Sequence, residues 1–140
     1  MASRLRRRSV VLLCGWAALA TALSASCAHA PNVDWSAAQL VTVELVGRRF
    51  VPNKLSFRRG VPYHLRLDNT STSLHEFTAP EFLKAVSVKN PEVLDPQQRE
   101  IVLQRKEQRD VYFVPHTPGR YELTCADHAW AGMTGDITIE

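Results

Sequence analysis

The chain has 140 residues, a formal net charge of +3 and a hydrophobic content of 45%. This length fits one compact domain, and the ordinary balance of apolar and charged residues excludes a disordered chain, a collagen-like fibre and a dense disulfide scaffold. Four of the 17 Lys and Arg residues lie in the first eight positions, which leaves 13 against 14 acidic residues in the rest of the chain. The basic charge is therefore confined to the N-terminus and indicates no nucleic-acid partner.

The first 30 residues have the pattern of an export signal. Arginines within residues 4–8 precede an apolar run over residues 10–23, and small residues follow up to position 30. We therefore predict an exported protein, either periplasmic or anchored to the outer face of a membrane. Two alternatives to simple cleavage are an uncleaved membrane span and lipid attachment at Cys27. The residues before Cys27 resemble a lipoprotein cleavage box, although Ser24 stands where an aliphatic residue is usual.

After a short linker at residues 31–39, residues 40–140 are predicted to form a single domain made mainly of strands. Residues 69–73 are polar and predict a loop, and residues 80–88 predict one or two helical turns with Phe82 and Leu83 facing inward. Many short strands with little helix are typical of an all-β, antiparallel sandwich. Alternating apolar and polar residues predict strands at 41–46, 55–57, 63–68, 100–104, 110–114, 120–125 and 136–139.

Cys125 is the only cysteine outside the predicted export signal, and its neighbours distinguish it from an ordinary buried thiol. The spacing Cys-x2-His-x4-Met places Cys125, His128 and Met133 on one loop. Strand alternation directs Leu123 and Cys125 to the core face. The loop contains Gly132 and can fold the imidazole and the thioether back over the sulfur.

A metal ion at this loop needs a ligand from elsewhere in the chain, and His75 is the best candidate. It follows the polar loop and lies at the same end of the predicted sandwich as Cys125. His64 and His116 lie away from that end and are expected to be solvated surface residues. Two imidazoles, one thiolate and one weak thioether match a copper site with a long axial Met. Zinc fits less well, because structural zinc sites commonly use more than one Cys and rarely use Met.

At these residues the sequence resembles cupredoxins of the plastocyanin and pseudoazurin type, which are blue copper proteins. The resemblance implies a Greek-key sandwich with one copper ion, His75, Cys125 and His128 as equatorial ligands, and Met133 as the axial ligand. It also implies that the His128 ring reaches the surface and conducts electrons. The matching residues are Phe50-Val51-Pro52, Arg59-Gly60, His75, Phe113, Pro118-Gly119-Arg120-Tyr121, Cys125, His128, Gly132-Met133 and Gly135.

One residue departs from the family pattern. Members of this group often have Asn directly after the first His ligand, where it helps to hold the loop and the Cys sulfur, but this chain has Glu76. A carboxylate close to copper would favour Cu(II), and as a ligand it would make a site that is not blue. The alternative, which we expect, is that Glu76 points to solvent from the strand that holds His75 and Phe77.

These features predict an electron carrier whose copper cycles between Cu(I) and Cu(II). The alternative is a copper-binding module for delivery, storage or sensing. Four protein ligands leave no open position for substrate, so we do not expect an enzyme. We expect a monomer whose redox partner docks near His128 and Trp130, although Trp130 could instead shield the copper from water.

Overall fold

The computed structural model describes residues 32–140. The predicted export signal, including the lipidation hypothesis at Cys27, lies outside this range. Within residues 32–140, no helix has the length and apolar character needed to cross a bilayer.

Strands make up most of the described chain, as the alternating pattern predicts. The only α-helix among residues 32–140 is α1 (Pro80–Lys84), and short 3-10 turns lie at Trp35–Ala37, Pro91–Val93 and Ala129–Ala131. The ten strands of this range are β1 (Gln39–Val46), β2 (Arg49–Val51), β3 (Lys54–Phe57), β4 (Tyr63–Asn69), β5 (His75–Thr78), β6 (Val86–Val88), β7 (Glu100–Leu103), β8 (Gln108–Pro115), β9 (Gly119–Thr124) and β10 (Thr134–Ile139).

The strands form two five-stranded sheets, with the orders β2-β1-β4-β8-β6 and β3-β10-β9-β5-β7. The predicted all-β sandwich is confirmed. The sheets are mixed rather than purely antiparallel, because β1 pairs with β4 and β3 pairs with β10 in parallel. After β1 and β2, the chain crosses to the second sheet as β3. It then returns to the first sheet as β4, which lies beside β1 and runs in the same direction.

The segment predicted as helical turns is only partly helical. Pro80 occupies the first turn of α1, where its missing N–H costs nothing, and Phe82 and Leu83 are buried as predicted. The helix ends at Lys84, and the chain continues as β6, which pairs with the end of β8. Val86 and Val88 are β-branched residues that alternate with Ser87, so this stretch favours an extended strand over further helical turns.

Apolar side chains from both sheets form one continuous core. At its centre, the ring of Phe57 packs edge-on against Tyr63 and Phe113 and is stacked with Phe82. Burying each such side chain contributes about 1.5–3 kcal/mol relative to leaving it exposed. Cys125 and Met133 belong to the same buried cluster. The loop between β9 and β10 is therefore packed against the core through these two side chains.

Candidate metal centre

Three elements position the predicted ligands. His75 begins β5, Cys125 directly follows β9, and His128 and Met133 lie in the loop before β10. Within this loop the N–H of Cys125 donates to the carbonyl of Met133 at 3.1 Å, and the N–H of Met133 donates to the carbonyl of His128 at 3.2 Å. Gly132 ends the short 3-10 turn with φ of 83°, a left-handed conformation that glycine adopts without steric cost. The loop is therefore held closed by its own backbone.

The donor atoms of three predicted ligands lie close together. Nδ1 of His75 is 3.7 Å from Sγ of Cys125, and Nδ1 of His128 is 3.3 Å from the same sulfur. All three donors lie within 4.8 Å of one another. Metal–nitrogen and metal–sulfur bonds of roughly 2.1 and 2.3 Å at about 120° would separate such donors by about 3.8 Å. The three side chains therefore fit a single trigonally coordinated ion.

The protonation state of the imidazole at His75 suits metal binding. Burial, followed by the neighbouring His128, lowers the pKa of His75 below its ordinary value of 6.5. A neutral imidazole is the form that binds metals. His128 is half-buried, in line with the expectation that its ring reaches the surface, whereas His75 is buried.

The thiol of Cys125 is strongly shielded from water. Burial, followed by the contact with the Glu76 side chain, raises the pKa of Cys125 from 9.0 to about 11. The metal-free protein therefore holds a protonated thiol at neutral pH. Ligation of a metal must displace that proton, so metal binding and proton release are coupled.

Met133 is the fourth predicted ligand. Its side chain is fully buried, and its backbone is bonded to both Cys125 and His128. A thioether is a weak ligand that suits the long axial position of a copper site. Assignment of Met133 as the axial ligand stays a prediction.

Glu76 does not point to solvent, so that expectation is wrong. The residue is 5% exposed. Its Oε2 accepts a hydrogen bond from Sγ of Cys125 at 2.9 Å and a long one from the N–H of Asp127 at 3.4 Å. The physical reason is the position of β5 between β9 and β7, beside the loop that carries Cys125 and Asp127.

The two remaining histidines of the described range lie outside the site, as expected. His116 is exposed and bonded to the Thr117 hydroxyl. His64 is less solvated than expected, because its Nε2 lies 2.6 Å from Oδ1 of Asp110 and its ring stacks on Tyr112 at 4.3 Å. Register places His64 opposite Tyr112 on adjacent strands, and this packing explains its partial burial.

Asn69, predicted to begin a polar loop, instead joins backbone segments close to His75. It is fully buried at the end of β4, and its amide nitrogen donates to the carbonyls of Ser73, Leu103 and Gln104. These bonds tie the segment before His75 to the end of β7. An Asn that directly follows an alternating strand was the available sequence signal.

Trp130 is 78% exposed, so most of its surface faces solvent. Its Nε1 donates to the carbonyl of Asp127 at 2.9 Å, and the Arg48 guanidinium lies 5.3 Å from the ring centroid. The large apolar ring is therefore held in place on the surface, two residues from His128.

Comparison with known proteins identifies the family. Residues 12–139 match the model of the cupredoxin-like domain, so the chain belongs to the cupredoxin-like family. No curated protein sequence matches the chain significantly. The predicted membership of the cupredoxins is confirmed, and His75, Cys125, His128 and Met133 form the residue pattern of a type 1 site for one copper ion.

Solved structures with the same fold include three auracyanins. Auracyanin B is 21% identical with a TM-score of 0.56, covering 77% of this chain and 93% of its own. An auracyanin from the photosynthetic bacterium Roseiflexus castenholzii is 17% identical with a TM-score of 0.55, covering 74% of this chain and 98% of its own. Auracyanin A, a "blue" copper protein from Chloroflexus aurantiacus, is 16% identical with a TM-score of 0.53, covering 72% and 98%. At these identities, the similarity shows the fold.

Proposed function

We propose that this protein is a mononuclear type 1 copper protein that transfers electrons. The observation that carries the proposal is the buried sulfur of Cys125 with imidazole nitrogens at 3.7 and 3.3 Å. The bound ion would supply the one-electron chemistry by alternating between Cu(I) and Cu(II). The soft sulfur of Cys125 stabilises Cu(I), while the imidazoles of His75 and His128 tolerate Cu(II).

The surroundings of the ligands support a site that changes little between oxidation states. His75 and Cys125 are attached to strands of one sheet, and the backbone bonds between Cys125, His128 and Met133 hold the loop closed. A rigid set of donors that suits both ions undergoes little rearrangement when an electron arrives or leaves. This is the property that an electron carrier needs. An enzyme would instead need an open coordination position, which four protein ligands do not leave.

We also propose that a redox protein docks where His128 and Trp130 meet the surface. Support comes from the half-buried imidazole and from the exposed indole, which Arg48 and Asp127 hold in place. Large aromatic rings are enriched at the centres of protein interfaces. We propose in addition that the protein is exported, with Cys27 as a candidate membrane tether, and that it works as a monomer.

Copper titration of the purified protein tests the metal centre. We expect one Cu(II) ion per chain and an intense absorption band, because the Cys125 thiolate bonds directly to the metal. Cys125→Ser should abolish the band. His75→Gln should weaken copper binding, whereas the matched variant His116→Gln removes an exposed imidazole outside the site and should leave binding unchanged. An unchanged band in Cys125→Ser would refute the assignment.

Electrochemistry separates electron transfer from a role in copper delivery, storage or sensing. A carrier should show reversible voltammetry and rapid electron self-exchange. Slow and irreversible electron transfer, combined with ready loss of Cu(I) to an acceptor, would instead assign the protein to copper delivery.

A further inference from the structure

We infer that Glu76 sets the oxidation-state preference of the metal centre: its carboxylate contacts the Cys125 sulfur from outside the ligand set and favours Cu(II) over Cu(I). Glu76 is thus a positioning and tuning residue that lowers the reduction potential, an inference that rests on the proposed copper function.

The contact between Glu76 and the sulfur is close and buried. Oε2 lies 2.9 Å from Sγ of Cys125, and the backbone N–H of Glu76 points to the same sulfur at 3.5 Å. Only 5% of the residue is exposed, so little water screens the carboxylate. Glu76 therefore places both a backbone N–H dipole and a carboxylate next to the sulfur that would bind the metal.

The geometry favours a contact with the sulfur over direct ligation by Glu76. Ligand atoms bound at roughly 2.0–2.3 Å to one ion lie within about 4.6 Å of one another. Among residues 32–140, the mutually close donors are those of His75, Cys125 and His128. The polar contacts of the Glu76 carboxylate in this range are with Sγ of Cys125 and the N–H of Asp127. Of the three donor atoms, the Glu76 carboxylate therefore contacts only the sulfur of Cys125.

Charge balance determines the direction of the effect. Cu(II) with one thiolate and one neighbouring carboxylate carries no net charge, whereas the Cu(I) form of the same group carries one negative charge. An uncompensated charge in a buried site is costly. Reduction adds one electron from the redox partner without removing either anion, so the carboxylate opposes it. With a neutral amide in its place, reduction would instead convert a positive site into a neutral one.

The test compares Glu76→Gln with Glu122→Gln in the copper-loaded full chain at one pH and one ionic strength. Glu122 is exposed on β9, and its substitution removes the same charge from the protein. We expect Glu76→Gln to shift the ratio of Cu(I) to Cu(II) affinity by roughly tenfold or more towards Cu(I), a rise in potential of about 59 mV per tenfold change. The thiolate absorption band should remain. Glu122→Gln should leave the potential essentially unchanged.

A charge-conserving variant guards against a purely structural effect. Glu76→Asp keeps the negative charge and shortens the side chain, so its potential should stay closer to that of the unmodified protein than to that of Glu76→Gln. Equal potentials in Glu76→Gln and Glu122→Gln would overturn the inference. Replacement of the band by a different type of copper spectrum in Glu76→Gln would also overturn it, because Glu76 would then be a ligand. Absence of a thiolate band in the unmodified protein would refute the proposed copper function itself.

Discussion

Deprotonation of the Cys125 thiol should make the metal-free protein less stable at high pH. Burial and the neighbouring Glu76 carboxylate raise the pKa of this thiol from 9.0 to about 11 in the folded chain. Below pH 9 the thiol is protonated in both states, so it adds no pH dependence. Between pH 9 and 11 the unfolded chain loses the proton and the folded chain keeps it, which stabilises the unfolded state.

The shift in pKa gives the size of the effect. A rise of about two pKa units corresponds to about 3 kcal/mol of unfolding free energy, lost progressively between pH 9 and pH 11 and constant above that. Urea unfolding at several pH values, with a chelator and a reductant present, measures this loss. Cys125→Ser is the control, because the other ionisable groups titrate equally in both proteins and a serine hydroxyl does not ionise in this range.

From pH 8 to pH 11, where the folded thiol is half titrated, the unmodified protein should therefore lose about 2 kcal/mol of stability relative to Cys125→Ser. Parallel pH profiles of the two proteins would refute the reasoning, because they would show that the thiol titrates alike in the folded and unfolded chains.

Three further substitutions test the packing and the ligand set. Gly135→Ala would place a Cβ 2.5 Å from the backbone carbonyl oxygen of Asn53, so we expect the free energy of unfolding in urea to fall by about 1–3 kcal/mol. An unchanged free energy of unfolding would show that β3 and β10 can move apart without cost. Met133→Leu should keep the thiolate band and raise the potential, because it removes a weak sulfur donor; complete loss of copper would contradict an axial role. Phe57→Ala removes a ring packed against three other aromatic rings and should cost about 3–5 kcal/mol, whereas Leu40→Ala at an exposed position should cost about 0.5 kcal/mol or less.

The strands were predictable from the sequence where one face of the strand is buried and the other is partly exposed. In β4, Tyr63, Leu65 and Leu67 are buried, and the residues between them are partly exposed, as the alternation predicts. The short β6 was missed, because its three residues follow directly on a helical turn. Parallel pairing of β1 with β4 was also missed, since it depends on β3 crossing to the other sheet.

Ligand types were predictable from spacing, and ligand surroundings were not. Cys125, His128 and Met133 occupy one loop whose closure needs only local backbone bonds, so the sequence identified them together. His75 lies 50 residues before Cys125, and its selection over His64 rested on an expected strand arrangement that the structure now provides. The environment of Glu76 was mispredicted, because the strand pattern does not reveal which neighbour covers its outer face.

The sequence by itself determined an all-β domain and a loop that presents a thiol, an imidazole and a thioether, because alternation and short-range spacing are local properties of the chain. Only the tertiary structure decided that Glu76 is buried against the Cys125 sulfur and that Trp130 is exposed. Both outcomes depend on which distant segment covers a side chain. For Glu76, the packing of β5 beside the Cys125 loop makes that choice.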